Sequence, residues 1–255
     1  MKKVWIGTCG QVVAWKNLFH LFSALELNIT FYKFPTERQV KNWKKYLREG
    51  KEKGAFLSMK AHQLFTHPLN SPTWKRSEFA SEERKKLRGL VGCLKRNELS
   101  RKYLKKTREL AEELGLDFIL FQLPAACEKE KENIGPFFRE ALKILDQKLL
   151  GLEIRWPDPS LLMSLRNQGI VPVFDPFLEP SLRESFFPDL DFLYLRLHGT
   201  RDSRGKLNYR HQYTEEELKK LKDWVFEARA ERVCVFFNNV FMKDDALRFK
   251  KLWQE

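Results

Sequence analysis

Two short β-like segments carry polar residues at every second position. GLEIRW (151–156) places Glu153 and Arg155 two residues apart, and YLRLHG (194–199) does the same with Arg196 and His198. Side chains two apart in a strand point to the same face of the sheet. A buried charge without a partner is costly, so we expect these carboxylate, guanidinium and imidazole groups to face one another or a ligand.

Polar residues end most of the strand-like segments of the chain, including these two. Those that bear on chemistry are Lys60, His62, Gln122, Glu153, Arg155, Asp175, Arg196, His198, Asn238 and Asn239. In a closed barrel of parallel strands, catalytic and binding residues lie at the carboxyl ends of the strands. The sequence therefore predicts one polar, electropositive pocket built from these ends.

Two kinds of chemistry fit these residues. Glu153, Asp175 and His198 are candidate catalytic residues that act as acid or base. With His62, the same three are also candidate ligands of a divalent metal ion. The alternative is that Glu153 is neutralised by Arg155 or Arg196 and binds nothing.

Cationic and amide groups in the same set predict recognition of an anion. The candidate anion-binding residues are Lys60, Arg155, Arg196, Gln122, Asn238 and Asn239. Guanidinium groups hold phosphate or carboxylate in a bidentate manner. Tyr32, Trp156 and Tyr209 are candidates for stacking at the rim of the pocket, although most aromatic residues of the chain belong to the core.

The excess of positive charge is concentrated in one region. The chain carries a net charge of +13, and residues 84–108 hold eleven Lys and Arg against Glu98 alone. Counterion release from phosphates makes a polyanion such as nucleic acid the natural partner of such a region. The alternative is a solvated helix face that serves solubility.

The elements that must position these residues alternate between strands and helices. Predicted strands are 4–8, 25–32, 55–61, 117–123, 151–156, 170–175, 191–199 and 232–239. Predicted helices include 36–54, 100–115, 136–149, 214–231 and 244–255. Eight strand–helix units in 255 residues predict an α/β fold, a single (β/α)8 TIM-type barrel over 1–255 with a helical insertion at 62–99. An open doubly wound sheet is the alternative, without a G-x-G-x-x-G sequence to support it.

Several helix boundaries carry their own signals. Ser100 and Thr214 are predicted N-caps, the second with Glu217 at capping-box spacing. Gly54 and Gly115 are placed where a helix ends in a left-handed residue.

Cysteine spacing and the amino terminus predict the cellular setting. The four cysteines are far apart in sequence without a C-x-x-C pair, so we expect reduced, mostly buried thiols. Cys9 ends the first strand and is a weaker candidate for a nucleophile than for a small buried residue. MKKVWIGTCG contains no signal-peptide pattern, and no apolar run is long enough to span a membrane, so a cytoplasmic location is predicted.

Short motifs throughout the chain resemble those of one family. They are I-G-T-C-G at 6–10, E-L-N-I-T-F-Y at 26–32, S-M-K-A at 58–61, T-H at 66–67, F-Q-L-P at 121–124, E-I-R-W at 153–156, R-L-H-G at 196–199 and F-N-N at 237–239. Together they resemble the YecE-like family of uncharacterised proteins, the domain of unknown function numbered seventy-two. The resemblance implies a TIM-type barrel with these residues around its mouth and implies no reaction.

These observations lead to one functional hypothesis and two alternatives. The protein is expected to bind a phosphate-containing ligand, with nucleic acid the favoured class and phosphodiester hydrolysis a further step. The first alternative is an enzyme for a small anionic metabolite or sugar acid, acting as an isomerase, lyase or hydrolase. The second is a non-catalytic interaction protein that uses the barrel as a scaffold.

Overall fold

The computed structural model describes residues 2–146, 148–156 and 158–255. Its strands are β1 (Lys3–Cys9), β2 (Ala24–Leu27), β3 (Phe56–Lys60), β4 (Phe118–Leu123), β5 (Leu149–Ile154), β6 (Ile170–Phe174), β7 (Phe192–Leu197), β8 (Thr200–Arg201), β9 (Leu207–Asn208) and β10 (Arg232–Phe237). Within these described residues, eight strands form a closed barrel in the order β1-β10-β7-β6-β5-β4-β3-β2, and β8 and β9 form an antiparallel hairpin. The predicted TIM-type barrel is confirmed.

Helices connect the barrel strands. They are α1 (Trp15–Leu21), α2 (Glu37–Glu52), α3 (Gln63–Thr66), α4 (Ser81–Lys86), α5 (Glu98–Glu113), α6 (Ile134–Ile144), α7 (Pro159–Arg166), α8 (Pro180–Phe186), α9 (Glu215–Glu227) and α10 (Met242–Gln254). Short 3-10 helices lie at Ile29–Phe31, Pro72–Arg76 and Ala125–Asn133. None of the helices in the described part of the chain has the length and apolar character needed to cross a membrane.

The barrel strands are apolar because both of their faces are covered. All six residues of β4 and all six of β7 are buried. Parallel strands covered on both faces are typically rich in large apolar residues rather than alternating. The few polar side chains within such strands therefore need partners inside the protein.

The chain divides into two compact units. The first unit consists of the chain up to Glu26, Glu49–Phe56 and Val171–Glu255, and the second of Leu27–Arg48 and Leu57–Ile170. In the first unit β1 pairs with β10, and β10 with β7. In the second unit β3 pairs with β4, and β4 with β5.

Some predicted boundaries are confirmed and others are wrong. Thr214 caps α9, and its hydroxyl and Glu217 form the predicted capping box. The second strand was predicted over 25–32 but ends at Leu27, because Ile29–Phe31 turns into a 3-10 helix. A helix was predicted over 136–149, but α6 runs Ile134–Ile144, and Gln147 lies outside the described residues.

The cap of α5 lies three residues before the predicted one. The side chain of Asn97 accepts a hydrogen bond from the Ser100 amide at 2.9 Å, and the Ser100 hydroxyl accepts one from the Asn97 amide at 2.9 Å. Ser100 thus completes a reciprocal cap instead of starting the helix.

The expectation of four reduced cysteines is also wrong. Cys93 and Cys127 form a disulfide across a sequence separation of 34 residues. Cys9 and Cys234 are buried and take no part in a disulfide.

Candidate functional site

Two cationic side chains, Lys60 and Arg155, lie at or directly after the carboxyl ends of strands in the second unit. Lys60 ends β3, and its ammonium group donates a hydrogen bond of 2.8 Å to Oε1 of Gln122 on β4. The same ammonium group lies 3.9 Å from the centre of the Phe31 ring. Both contacts fix a partly exposed cation at the end of its strand.

The next strand adds a carboxylate and a guanidinium group. Glu153 is the register partner of Gln122 across β4 and β5. Its Oε1 lies 2.8 Å from Nη2 of Arg155, with 3% of the Glu153 side chain and 21% of the Arg155 side chain exposed. The alternative that Arg155 neutralises Glu153 is therefore realised, while part of the Arg155 side chain remains exposed to solvent.

His67 completes this group, and it is neutral. Burial lowers the pKa of His67 to about 3, and the charges of Lys60 and Arg155 act in the same direction. Its Nδ1 lies 2.9 Å from the Thr66 hydroxyl. We call Lys60, His67, Gln122, Glu153 and Arg155 the Lys60–Arg155 cluster; two cations and one carboxylate give it a net charge of +1.

A buried ion pair in the first unit involves Glu26, which begins one of the family motifs but was not among the candidate site residues. Glu26 on β2 accepts a hydrogen bond of 2.8 Å from the Tyr194 hydroxyl and one of 2.8 Å from Nη2 of Arg196. Glu26 is fully buried and Arg196 is 1% exposed. The Arg196 guanidinium group neutralises a carboxylate inside the protein, so we leave it out of the anion-binding cluster.

His198 lies between this ion pair and a second carboxylate. Nε2 of His198 lies 3.4 Å from Nη1 of Arg196, and its Nδ1 lies 3.3 Å from Oδ2 of Asp175. A guanidinium group only donates hydrogen bonds, so Nε2 is the accepting nitrogen and Nδ1 carries the proton toward Asp175. Asp175 also accepts from the backbone amides of His198 at 2.7 Å and of Phe177 at 3.0 Å. It is an orienting carboxylate with most of its accepting positions occupied.

The thiol of Cys9 is not activated. Burial raises the pKa of the Cys9 thiol well above its usual value, against the opposing charge of Arg196. A nucleophilic cysteine needs its thiolate form, so the surroundings of Cys9 are those of a buried apolar residue.

The predicted metal ligands are used in other ways. Nδ1 of His62 accepts from the Leu64 amide at 3.1 Å and thereby caps α3. Glu153 pairs with Arg155, and Asp175 orients His198. Across the described ranges, no three His, Cys, Asp or Glu side chains are grouped so that they could hold a metal ion.

The remaining predicted residues are spread over different roles. The Asn239 amide nitrogen donates to the His211 carbonyl oxygen at 2.8 Å and to Asp245 at 2.6 Å, which ties the end of β10 to α10. The Asn238 backbone amide donates to the Leu197 carbonyl oxygen at 2.8 Å. Trp156 was predicted at an exposed rim but is 5% exposed, so its ring is not available for stacking.

Two rim aromatics are accessible. Tyr209 is 40% exposed and its ring centre lies 6.1 Å from that of His198. Tyr32 is partly exposed, with the Arg76 guanidinium group 4.0 Å from its ring centre.

Glu26 had a weak signal in the sequence. It is the one charged residue of β2, whose four residues, ALEL, are all buried. A carboxylate within a fully buried strand requires a buried cation or hydrogen-bond donors. Sequence alone cannot say which cation, because Arg196 is 170 residues further along the chain.

Comparison with known proteins identifies a family. The family model described as "Protein of unknown function DUF72" matches residues 16–255. The solved structure of a DUF72 family protein from Enterococcus faecalis V583 is 18% identical, with a TM-score of 0.69 over 100% of this chain and 99% of that one. No curated protein matches the chain.

Other barrels share the fold at lower similarity. Endonuclease IV from Thermus thermophilus is 11% identical, with a TM-score of 0.55 over 100% of this chain and 99% of that one. A D-tagatose 3-epimerase-like protein is 14% identical, with a TM-score of 0.58 over 100% of this chain and 96% of that one. These likenesses concern the barrel architecture.

Proposed function

The chain belongs to the DUF72 family of proteins of unknown function, and we propose that it binds a phosphate-containing ligand at the Lys60–Arg155 cluster. The observation that carries the proposal is the composition of the cluster: two partly exposed cations, one carboxylate and a histidine that stays neutral. Lysine and arginine at one site suit a phosphate group, and the Gln122 amide adds a neutral hydrogen-bonding group.

Nucleic acid is the ligand class that the charge of the whole chain favours. A net charge of +13 attracts polyanions over long distances and makes their binding depend strongly on salt. One structural neighbour is by name an endonuclease and another an epimerase-like protein, so the shared fold is compatible with either class of ligand.

The predicted proton-transfer roles remain proposals about phosphodiester hydrolysis. Asp175 holds the His198 ring and fixes its tautomer, but the His198 side chain is fully buried, so burial argues against a direct role in proton transfer to a ligand. Glu153 is tied to Arg155 and serves electrostatic balance more directly than proton transfer. A cytoplasmic location likewise remains a prediction.

Titration with a 12-nucleotide oligothymidylate at about 50 mM salt tests this function. Each lost phosphate contact to a single strand lowers affinity by about eightfold under these conditions. We expect that loss for Lys60→Gln, and a change of less than about twofold for the control Lys219→Gln, which removes an exposed cation from α9. Absence of binding by the unmodified protein, or equal effects of the two variants, contradicts the proposal.

A further inference from the structure

A groove in the second unit is lined by cations. It has a volume of about 590 Å³, and its cationic lining residues are Arg84, Lys85, Arg88 and Lys95. Among the described residues, no Asp or Glu lines it. The polar remainder includes Asn70 and Ser81, both neutral hydrogen-bonding groups. Such a lining suits a chain of phosphates better than a single small anion.

Two segments of the chain line the groove, and their backbones pack closely against each other. Residues 68–70 form one wall, and residues 81–95 provide the other. A Cβ atom added to Gly92, whose φ is +86°, would lie 2.7 Å from the backbone nitrogen of Pro68. The Gly92 amide donates to the Leu64 carbonyl oxygen at 2.9 Å. Close backbone packing and this hydrogen bond hold the walls in place.

The groove cations differ in how firmly they are held. Nη1 of Arg84 donates to the Trp74 carbonyl oxygen at 3.0 Å, which anchors the guanidinium group. Lys85 pairs with Glu82 at 2.7 Å and Lys95 with Glu130 at 3.6 Å, and all four of these side chains are at least about a third exposed. Exposed ion pairs contribute little free energy, so phosphate oxygens can replace these carboxylates.

One wall of the groove continues into the Lys60–Arg155 cluster. Pro68, which lines the groove, follows His67 in sequence, and consecutive Cα atoms are about 3.8 Å apart. The centre of the His67 ring lies 4.8 Å from that of Phe31, whose ring centre lies 3.9 Å from the Lys60 ammonium group. Residues 68–70 thus lead along the chain from the cluster to the groove.

The other half of the basic region is built differently. Glu98, Arg101, Lys102, Lys105, Lys106 and Glu109 line a second concave surface, and all six belong to α5. Two carboxylates are thus interleaved with four cations on a single helix. Arg101 also pairs with Glu140, and Arg108 with Glu112. This surface has the character of a solvated helix face.

From this contrast we infer that the groove, and not α5, is a subsite for the sugar–phosphate backbone of single-stranded nucleic acid. The inference rests on the proposed function, since the groove holds the nucleotides that flank the phosphate bound at the cluster. A single strand can lie in a two-walled concavity, where its phosphates meet cations from one side. A duplex presents its phosphates on a convex surface and gains less from such a groove.

Matched triple variants separate the two halves of the region. The groove variant is Lys85→Gln, Arg88→Gln and Lys95→Gln, and the α5 variant is Lys102→Gln, Lys105→Gln and Lys106→Gln. Both lower the net charge by the same amount. Arg84 is kept because its hydrogen bond supports the fold around Trp74. Circular dichroism and thermal melting of both variants verify that they fold.

The probes are a 12-nucleotide oligothymidylate, a 5′-phosphorylated thymidine dinucleotide and a 12-base-pair duplex. At about 100 mM salt, three lost phosphate contacts correspond to a loss of about 100-fold and a salt dependence shallower by about 2 in the log–log slope. We expect both changes when the groove variant binds the 12-nucleotide strand. Its affinity for the dinucleotide should fall by less than about twofold. The α5 variant should bind the 12-nucleotide strand within about threefold of the unmodified protein.

Three results overturn the inference while leaving the proposed function intact. They are an unchanged affinity of the groove variant for the 12-nucleotide strand, an equal loss in the α5 variant, and tighter binding of the duplex than of the single strand. Failure of the proposed function gives a different result: the unmodified protein binds neither strand, or Lys60→Gln leaves dinucleotide binding unchanged.

Discussion

At the scale of single residues, burial decides which charged groups can meet a ligand. Arg196 and Arg155 both follow an alternating pattern in a strand, yet their side chains are 1% and 21% exposed. The fully buried guanidinium group needs a carboxylate inside the protein, and Glu26 provides it. The partly exposed one pairs with the buried Glu153 while part of its own side chain reaches solvent, so it is the better candidate for binding an anion.

His62 shows the same effect on a titrating group. Burial lowers the pKa of His62 to about 3, and the charge of Lys106 acts in the same direction. The ring lies 3.6 Å from Glu78 through Nε2, but it is neutral at ordinary pH, so this contact is not an ion pair there. Nδ1 caps α3 by accepting from the Leu64 amide.

This pKa predicts a loss of stability in acid. The unfolded chain binds a proton at His62 below a pKa of about 6.5, whereas the folded chain does so only below about 3. Stability therefore falls as the pH drops from 6.5 toward 3, and at pH 5 the loss from this group is about 2 kcal/mol.

The variant His62→Asn isolates the contribution. Asparagine keeps an acceptor for the Leu64 amide and does not titrate. Between pH 7.5 and pH 5, urea unfolding should show that His62→Asn loses about 2 kcal/mol less stability than the unmodified protein. Parallel losses in the two proteins would mean that His62 is not buried as a neutral ring.

At the scale of elements, parallel pairing explains why the cluster forms. The register of β3 with β4 and of β4 with β5 brings the ends of these strands side by side. Lys60 and Gln122 meet there, and Glu153 follows as the register partner of Gln122. Strand ends and their polar residues are readable from sequence, so these members of the cluster were predictable.

The segment between β3 and β4 was harder to predict. Its short helices depend on tertiary contacts, such as the disulfide that joins Cys93 to Cys127 in the 3-10 helix Ala125–Asn133. Two cysteines 34 residues apart carry no geometric signal in the sequence. Sγ of Cys127 lies 3.3 Å from the Thr66 carbonyl oxygen, directly before His67 in the chain. The disulfide thus supports the backbone that leads into the cluster.

Removal of this disulfide should lower stability substantially. Closing a loop of 34 residues stabilises the folded state by about 4 kcal/mol through the lost entropy of the unfolded chain. Unfolding in urea should show a loss of that order for Cys93→Ala with Cys127→Ala. Unmodified protein treated with a reductant is the control and should match the variant; identical stability with and without the reductant would contradict the disulfide.

Helix boundaries could be predicted where the capping residues lie close together in sequence. The Thr214 and Glu217 capping box was predicted because both partners lie within four residues, and it is confirmed. Gly54 and Gly115 have φ values of +77° and +64°, as their positions after helices indicated. The start of α5 was predicted at Ser100, but Asn97 offers an equally good cap, and propensity alone does not choose between them.

At the scale of the whole molecule, the net charge and the barrel architecture could be predicted from the sequence, but the pairing of charged side chains could not. The barrel followed from eight alternating strands and helices, and the basic region from composition. In the structure, one part of that region lines a groove whose charged residues are all cations, and the other part is a helix with interleaved carboxylates. This division depends on which side chains share a surface, and the sequence does not show that. Long-range pairs such as Glu26 with Arg196 depend on the same kind of information.

Anomalous diffraction can locate a tetrahedral oxyanion bound at the Lys60–Arg155 cluster. Tungstate resembles phosphate in shape and charge and scatters strongly at an accessible absorption edge. Crystals of the full chain soaked in sodium tungstate should show their strongest anomalous peak within about 4 Å of Lys60 Nζ and the Arg155 guanidinium group. Peaks found only elsewhere, with none at these two side chains, would show that the cluster does not bind an oxyanion.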